Sequence, residues 1–190
     1  MKKTLSLITE LDKLKSVYRR SYITDLSRNE NSAEHSWHLA VALMALRDFI
    51  PADVNINHAI EIALTHDICE IGAGDVSIHS PERAQKADDE KAYMDSFAAE
   101  HGGFAKEIKM FWEEYEAQES AESHWVKVVD RLLPFLLNIA TDGLVWREEK
   151  ISKSHVLEIN APIRKTAPQL YGWIKEEIDK ATAKGWLLDE

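Results

Sequence analysis

Residues 58–71 read HAIEIALTHDICEI. No apolar–polar alternation runs through them; apolar positions recur every three or four residues, the spacing of one helix face. Ile60, Ala63, Leu64, Asp67 and Ile71 share one stripe, and Ala59, Ile62, Ala63, His66 and Glu70 share the adjoining one. The stretch predicts a helix from about His58 to Ile71, stopped by Gly72 and Gly74. That helix directs three ionisable side chains, His66, Asp67 and Glu70, towards an otherwise apolar surface. A carboxylate buried without a partner costs several kcal/mol, so a cation is expected to answer it.

Helical spacing continues on either side. Leu7, Ile8, Leu11, Leu14 and Tyr18 form a first stripe, and a polar connection covers Thr24 to Asn31. Ser32 reads as the N-cap of a helix reaching about Phe49, and His35 heads its stripe of Leu39, Ala42, Leu43 and Leu46. Pro51 to Asn57 and the segment around Ser80-Pro81 read as loops. Helices are expected at about Glu82 to Glu100 and Ala105 to Tyr115, separated by His101-Gly102-Gly103. A long apolar helix starts near Ala121, with Asp130 between Val126 and Leu133, and Pro134 is expected to kink it. After Pro168, Leu170, Trp173, Ile174, Ile178 and Ala181 repeat at helical spacing up to Gly185. With no internal repeat or linker, residues 1–190 are expected to form one all-α domain, a bundle of six to eight helices.

Bulk composition narrows the function. A net charge of −10 disfavours a nucleic-acid polymer as partner, because the global field repels phosphates. A small anionic substrate stays open if a metal or a local cationic patch offsets that field. The single cysteine, Cys69, fits a reducing compartment. No apolar run approaches the length of a membrane span, and the first ten residues lack the apolar core of an export signal. A cytoplasmic protein is expected.

Taken singly, each polar residue has a plain structural reading. His35 alone is a hydrogen-bonded core histidine, Asp130 a partner for Arg131 or Lys127, and Glu70 a charge at a helix end. Together, two imidazoles and two carboxylates interrupt apolar stripes on three helices. The order Ser32-Ala33-Glu34-His35, His66-Asp67-Ile68-Cys69-Glu70 with Gly74-Asp75, and Lys127-Val128-Val129-Asp130 resembles the H…HD…D signature of HD-domain metal-dependent phosphohydrolases. It is most similar to the branch of bacterial 5′-deoxynucleotidases and human HD-domain-containing protein 2. Phe111-Trp112-Glu113-Glu114-Tyr115-Glu116 and Ser120-Ala121-Glu122 resemble that branch as well. The resemblance runs from about Leu14 to Asn138, and residues 139–190 carry no assigned role. It implies that His35, His66, Asp67 and Asp130 hold a metal. Glu70 and Asp75 fall on acidic positions that support catalysis, and Arg19 on a substrate-contacting arginine.

Such a set suits one divalent transition ion, Mn, Co, Fe, Ni or Zn. Glu70, one turn beyond His66, is placed to orient an attacking water or carry its proton. Asp75, after Gly74, can reach towards a leaving group or a sugar hydroxyl, and Arg19 and Lys127 are candidates for phosphate charge. His38 shares a helix edge with His35 but also a stripe with Val41, Ala42, Ala45 and Phe49, so packing is the preferred reading. His79 is expected to border the pocket, and Cys69 to be a small buried residue. Trp112, Trp125, Trp146 and Trp173 are expected in the core or an interface. The expected activity is removal of phosphate from a nucleoside 5′-monophosphate, a deoxynucleotide by resemblance. The alternatives are hydrolysis of a nucleoside triphosphate or another phosphoester, and a non-catalytic metal- or ligand-binding module. The tryptophan-rich helices make a homodimer plausible.

Overall fold

Asn31 turns a polar connection into a helix start. Its side chain accepts from the Glu34 N–H at 3.0 Å, and Glu34 answers by accepting from the Asn31 N–H at 3.2 Å, a reciprocal capping box. The N-cap is therefore Asn31, and Ser32, the residue expected to cap, is the first helical residue. In this computed structural model, residues 1–75 and 83–189 are described; His79 and the Ser80-Pro81 loop lie outside them.

In chain order come α1 (Lys2–Leu11), a 3-10 turn (Asp12–Ser16), β1 (Tyr18–Tyr22), β2 (Asn29–Asn31), α2 (Ser32–Ala45), a second 3-10 turn (Arg47–Phe49) and α3 (Ile56–Thr65). There follow α4 (Glu70–Ala73), α5 (Arg83–His101), α6 (Phe104–Ala117), α7 (Ala121–Ala140), α8 (Leu144–Glu148), α9 (Lys153–Asn160), α10 (Ile163–Thr166) and α11 (Pro168–Ala183). The fold is helical, with one addition: β1 and β2 pair in a two-stranded sheet, so that Tyr18 opens a strand instead of closing the first helical stripe, and β2 falls within the expected polar connection from Thr24 to Asn31. Leu26, at φ 61°, takes the left-handed conformation in the turn that joins them.

The chain divides into two compact units. The first comprises Met1–Arg19 and Glu30–Val126. Within it α2 packs on α3, α3 on α6, α6 on α5, and α5 on α1 and α4. Leu39, Leu43, Ile62, Met94 and Ile108 fill its core. The second comprises Arg20–Asn29 and Lys127–Glu190. There α11 packs on α9 and α10, burying Ile163, Ile174 and Ile178, and Phe135 meets the rings of Trp146 and Trp173. Helix α7 starts in the first unit and runs unbroken through Pro134 to Ala140. A short parallel bridge from Ser152 to Leu188 fastens the C-terminal end.

Two expectations about helix faces are corrected. The single helix from His58 to Ile71 is two, α3 and α4, joined by a turn over His66-Asp67-Ile68-Cys69. Thr65 Oγ1 donates to the Glu61 carbonyl at 2.7 Å, and beyond it the N–H groups of Ile68, Glu70 and Ile71 bond three residues back rather than four. Leu64, still within α3, lies outside, and Ala59, Ile62, Ala63, His66 and Glu70 form the buried row. The stripe proposed for packing His38 is likewise external, since Val41 and Phe49 are exposed. Gly72 is not a helix stop but lies inside α4, where a Cβ would stand 2.2 Å from the Tyr93 ring. Gly74 does end that helix, at φ 75°.

Candidate metal centre

His35 comes from the first turn of α2, inside the capped helix start, and is fully buried. His66 follows the last residue of α3 and is 2% exposed. Their rings lie 5.6 Å apart between centroids. Asp130 lies on α7, one turn past Val126 and half-buried. His35, His66 and Asp130 can each offer one ligand atom, and these three atoms lie within 4.8 Å of one another. Asp67, next to His66, sets its Oδ1 3.0 Å from His66 Nε2.

The hydrogen bonds decide what these atoms can do. His66 Nδ1 lies 2.8 Å from the Ala63 carbonyl oxygen, which has no proton to give, so Nδ1–H is the donor. In the neutral ring Nε2 then carries a lone pair, and it faces a carboxylate oxygen. Two acceptors at 3.0 Å repel unless a proton or a metal cation lies with them. The donor set therefore fits a divalent transition ion: buried imidazole nitrogen with carboxylate oxygen and no thiolate. Cys69 is buried close by in sequence, and burial pushes its thiol well above the usual range, with Glu90, Asp67 and Glu70 adding to the effect. It is neither a soft ligand nor a nucleophile in that state.

Around this core stand groups that the sequence did not reveal. Glu30 on β2 is 4% exposed, with Oε2 3.5 Å from His35 Nδ1 and 3.8 Å from Arg19 Nε. A carboxylate beside the far nitrogen of a ligating histidine orients the ring and raises its basicity. Tyr115 on α6 sets its ring edgewise against His66, with centroids 4.9 Å apart. The only foretaste of Tyr115 in the sequence was its place in the Phe111 to Glu116 stretch. Glu30 had none, since it sits in a segment read as a polar connection.

The structure joins Arg19 to the centre through Asp67: Nη1 donates to Asp67 Oδ2 at 2.7 Å. Glu70, the first residue of α4, is buried, and its Oε2 accepts from Ser32 Oγ at 2.6 Å. Its Oε1 accepts from Lys86 Nζ of α5 at 3.2 Å. Burial raises the Glu70 carboxyl from 4.5 to about 8; Asp67 and Asp75 push the same way, while Arg19 and Lys86 oppose them. Asp75 is half-buried just past Gly74. Lys127 lies 3.8 Å from Asp130 on the same helix face. His38 is half-buried, its ring 6.3 Å from that of Trp37.

Comparisons with known proteins meet this geometry. Residues 11–171 match the model of the HD domain. The chain is 28% identical over 130 residues to the 5′-deoxynucleotidase HDDC2 of Homo sapiens, a stretch covering 67% of this chain and 62% of that protein, less than two thirds of its length. The protein of that name from Xenopus laevis is 29% identical over 190 residues, 96% of this chain and 91% of its own. Among solved structures, a predicted metal-dependent phosphohydrolase from Magnetospirillum magnetotacticum superposes with a TM-score of 0.91 at 34% identity, covering 98% of this chain and 94% of that one. A paired His66-Asp67 turn, a histidine one helix earlier, an aspartate on α7 and a match to the domain pattern over residues 11–171 agree with one another, and the chain belongs to the HD-domain family.

Proposed function

We propose that this chain is a metal-dependent phosphohydrolase that releases phosphate from a nucleoside 5′-monophosphate, with deoxynucleotides as the preferred class. The observation that carries the reading is His66: a buried imidazole whose tautomer leaves Nε2 as a ligand atom against a carboxylate, in reach of His35 and Asp130. The names of the HDDC2 relatives and of the Magnetospirillum structure support the reaction class, and the HDDC2 names alone support the substrate.

His35, His66, Asp67 and Asp130 would hold one divalent transition ion, of the Mn, Co, Fe, Ni or Zn type. Such an ion supplies Lewis acidity to a phosphoryl oxygen and to the attacking water. Glu70 accepts a proton from that water as its oxygen attacks phosphorus. The bond from phosphorus to the 5′-oxygen breaks, and the proton taken up by Glu70 passes to the departing nucleoside oxygen, towards which Asp75 reaches. Arg19, held by Asp67 Oδ2, and Lys127 neutralise the remaining phosphate charge. No helix among the described residues is long and apolar enough to cross a membrane, and we place the enzyme in the cytoplasm.

The test is phosphate release from dAMP, dGMP and their ribose counterparts by protein purified without chelator, with metal content measured alongside. Free phosphate from a monophosphate supports the reading. Inertness toward every monophosphate, or pyrophosphate released only from triphosphates, overturns it.

A further inference from the structure

The two short strands bring a charged pair to the edge of the metal centre. The Ser32 N–H donates to the Val17 carbonyl at 2.9 Å, so Val17 stands opposite Ser32. A short turn joins β1 to β2, which makes the pair antiparallel. Two residues further along each strand, Arg19 stands opposite Glu30, and opposite residues share a face. Both side chains are withdrawn from solvent, Arg19 at 15% exposure and Glu30 at 6%. A charge at that depth needs an answering group.

Glu30 Oε2 has two such groups, Arg19 Nε at 3.8 Å and His35 Nδ1 at 3.5 Å. The guanidinium is planar and rigid, so its Nε and Nη1 move together. Nη1 donates to Asp67 Oδ2 at 2.7 Å. Glu30 therefore bears on two of the four proposed ligands, on His35 directly and on Asp67 through Arg19. The capping box at Asn31 starts α2 beside Glu30 and sets His35 on the first turn, within its reach. The last torsion of a histidine has a broad, roughly two-fold profile. A half-turn about that bond exchanges Nδ1 for a ring carbon, so the contact with Glu30 selects one of two settings. In the selected one Nδ1 faces Glu30, and Nε2 is the nitrogen left for an ion.

We propose that Glu30 is a positioning residue of the metal centre: it sets the His35 ring and, through the Arg19 guanidinium, steadies the Asp67 carboxylate. The β1–β2 pair then has a purpose, to deliver Arg19 and Glu30 as one brace across two ligand-bearing segments. The inference rests on His35 and Asp67 holding the ion of the proposed reaction, and it assigns Glu30 no contact with metal or substrate.

The experiment compares wild type with Glu30→Gln and Glu30→Ala. Metal-free protein is titrated with manganese(II) by calorimetry and with cobalt(II) by its visible absorption, whose bands report the arrangement of ligands. Thermal melts and circular dichroism of the metal-free proteins run alongside. Glu30→Gln keeps an acceptor for His35 but no charge for Arg19, and it should weaken the Kd of both ions about tenfold. Glu30→Ala removes both contacts and should weaken it up to roughly 100-fold. In both variants the cobalt bands should be displaced while helicity is unchanged. A weaker Kd with unmoved cobalt bands would reduce Glu30 to a distant charge and overturn the proposal. An unmoved Kd with a lower Tm would overturn it too, leaving Glu30 as a structural partner of Arg19. If Glu30→Ala does not fold, Glu30→Gln decides by the same two readouts. If metal-loaded wild type hydrolyses no monophosphate, the proposed substrate fails, while the titrations still decide the Glu30 claim. If wild type binds neither ion, the metal reading and this inference fall together.

Discussion

His66 Nδ1 donates to the Ala63 carbonyl at the turn that ends α3, which leaves Nε2 as the ring's ligand atom. His66→Ala is expected to lose bound metal and activity together while the protein stays folded; inductively coupled plasma analysis beside circular dichroism checks it. Glu70→Gln has a different signature. It keeps the shape and the Ser32 contact but cannot take a proton, so kcat should fall roughly 100-fold or more with metal content intact. A Gln variant with near-normal turnover would remove Glu70 from the chemistry. Spacing shows that His35, His66, Asp67 and Asp130 interrupt apolar rows; Glu30, Lys86, Ser32 and Tyr115 have contacts at the centre that spacing does not show, for one shared reason. None interrupts a periodic pattern on its own element, and each acquires its role only by approaching another element.

Among the elements, those long enough to repeat an apolar stripe were legible: α2, α5, α6, α7 and α11 appear near their expected limits. The short ones were not. α8, α9 and α10 span five, eight and four residues, too few for a period to emerge, and α9 depends on Ser152 accepting from the His155 N–H at its cap. β1 reads YRRSY, with no alternation to distinguish it from a loop. Two predictions belong here. Gly72→Ala would drive a methyl into the Tyr93 ring between α4 and α5, so a loss of about 1–3 kcal/mol is expected in denaturant titration. The second concerns α3 and α6, which His58 and Glu114 clasp at 2.7 Å. Burial lowers the His58 pKa, but Glu114 and Glu61 outweigh it, and the net shift is upward from 6.5. A raised histidine pKa means the folded state binds the proton more tightly. The clasp therefore contributes fully below pH 6.5 and is lost as pH rises through the folded value. Glu114→Gln should flatten stability against pH in that window, and a wild-type slope that survives the substitution would refute the clasp.

For the molecule as a whole, the question is whether the metal makes the fold or only uses it. Small zinc modules unfold without their ion because they have little else. This chain has apolar cores that owe nothing to the centre: Leu39, Leu43, Ile62, Met94 and Ile108 in one unit, and Ile163, Ile174 and Ile178 in the other. Leu7, Leu14, Phe97 and Trp112 pack with Met94 and Ile108 in the first. Removing the ion should therefore leave helicity in place and withdraw only the binding free energy. At metal one hundred times its Kd that is about 2.7 kcal/mol, which for a protein of this length corresponds to a Tm shift of roughly 5–10 °C. The net charge of −10 sharpens the expectation, since a dication held near Asp67, Asp130 and Glu70 relieves repulsion that chelation restores. Thermal melts followed by circular dichroism, before and after chelation and again on adding manganese, give the comparison. Unchanged far-ultraviolet spectra with a lower, manganese-restorable Tm are the expected result, and the shift should vanish in His66→Ala. Loss of helicity on chelation at room temperature would make the ion structural, and a shift that persists in His66→Ala would place the metal somewhere other than the His66-Asp67 turn.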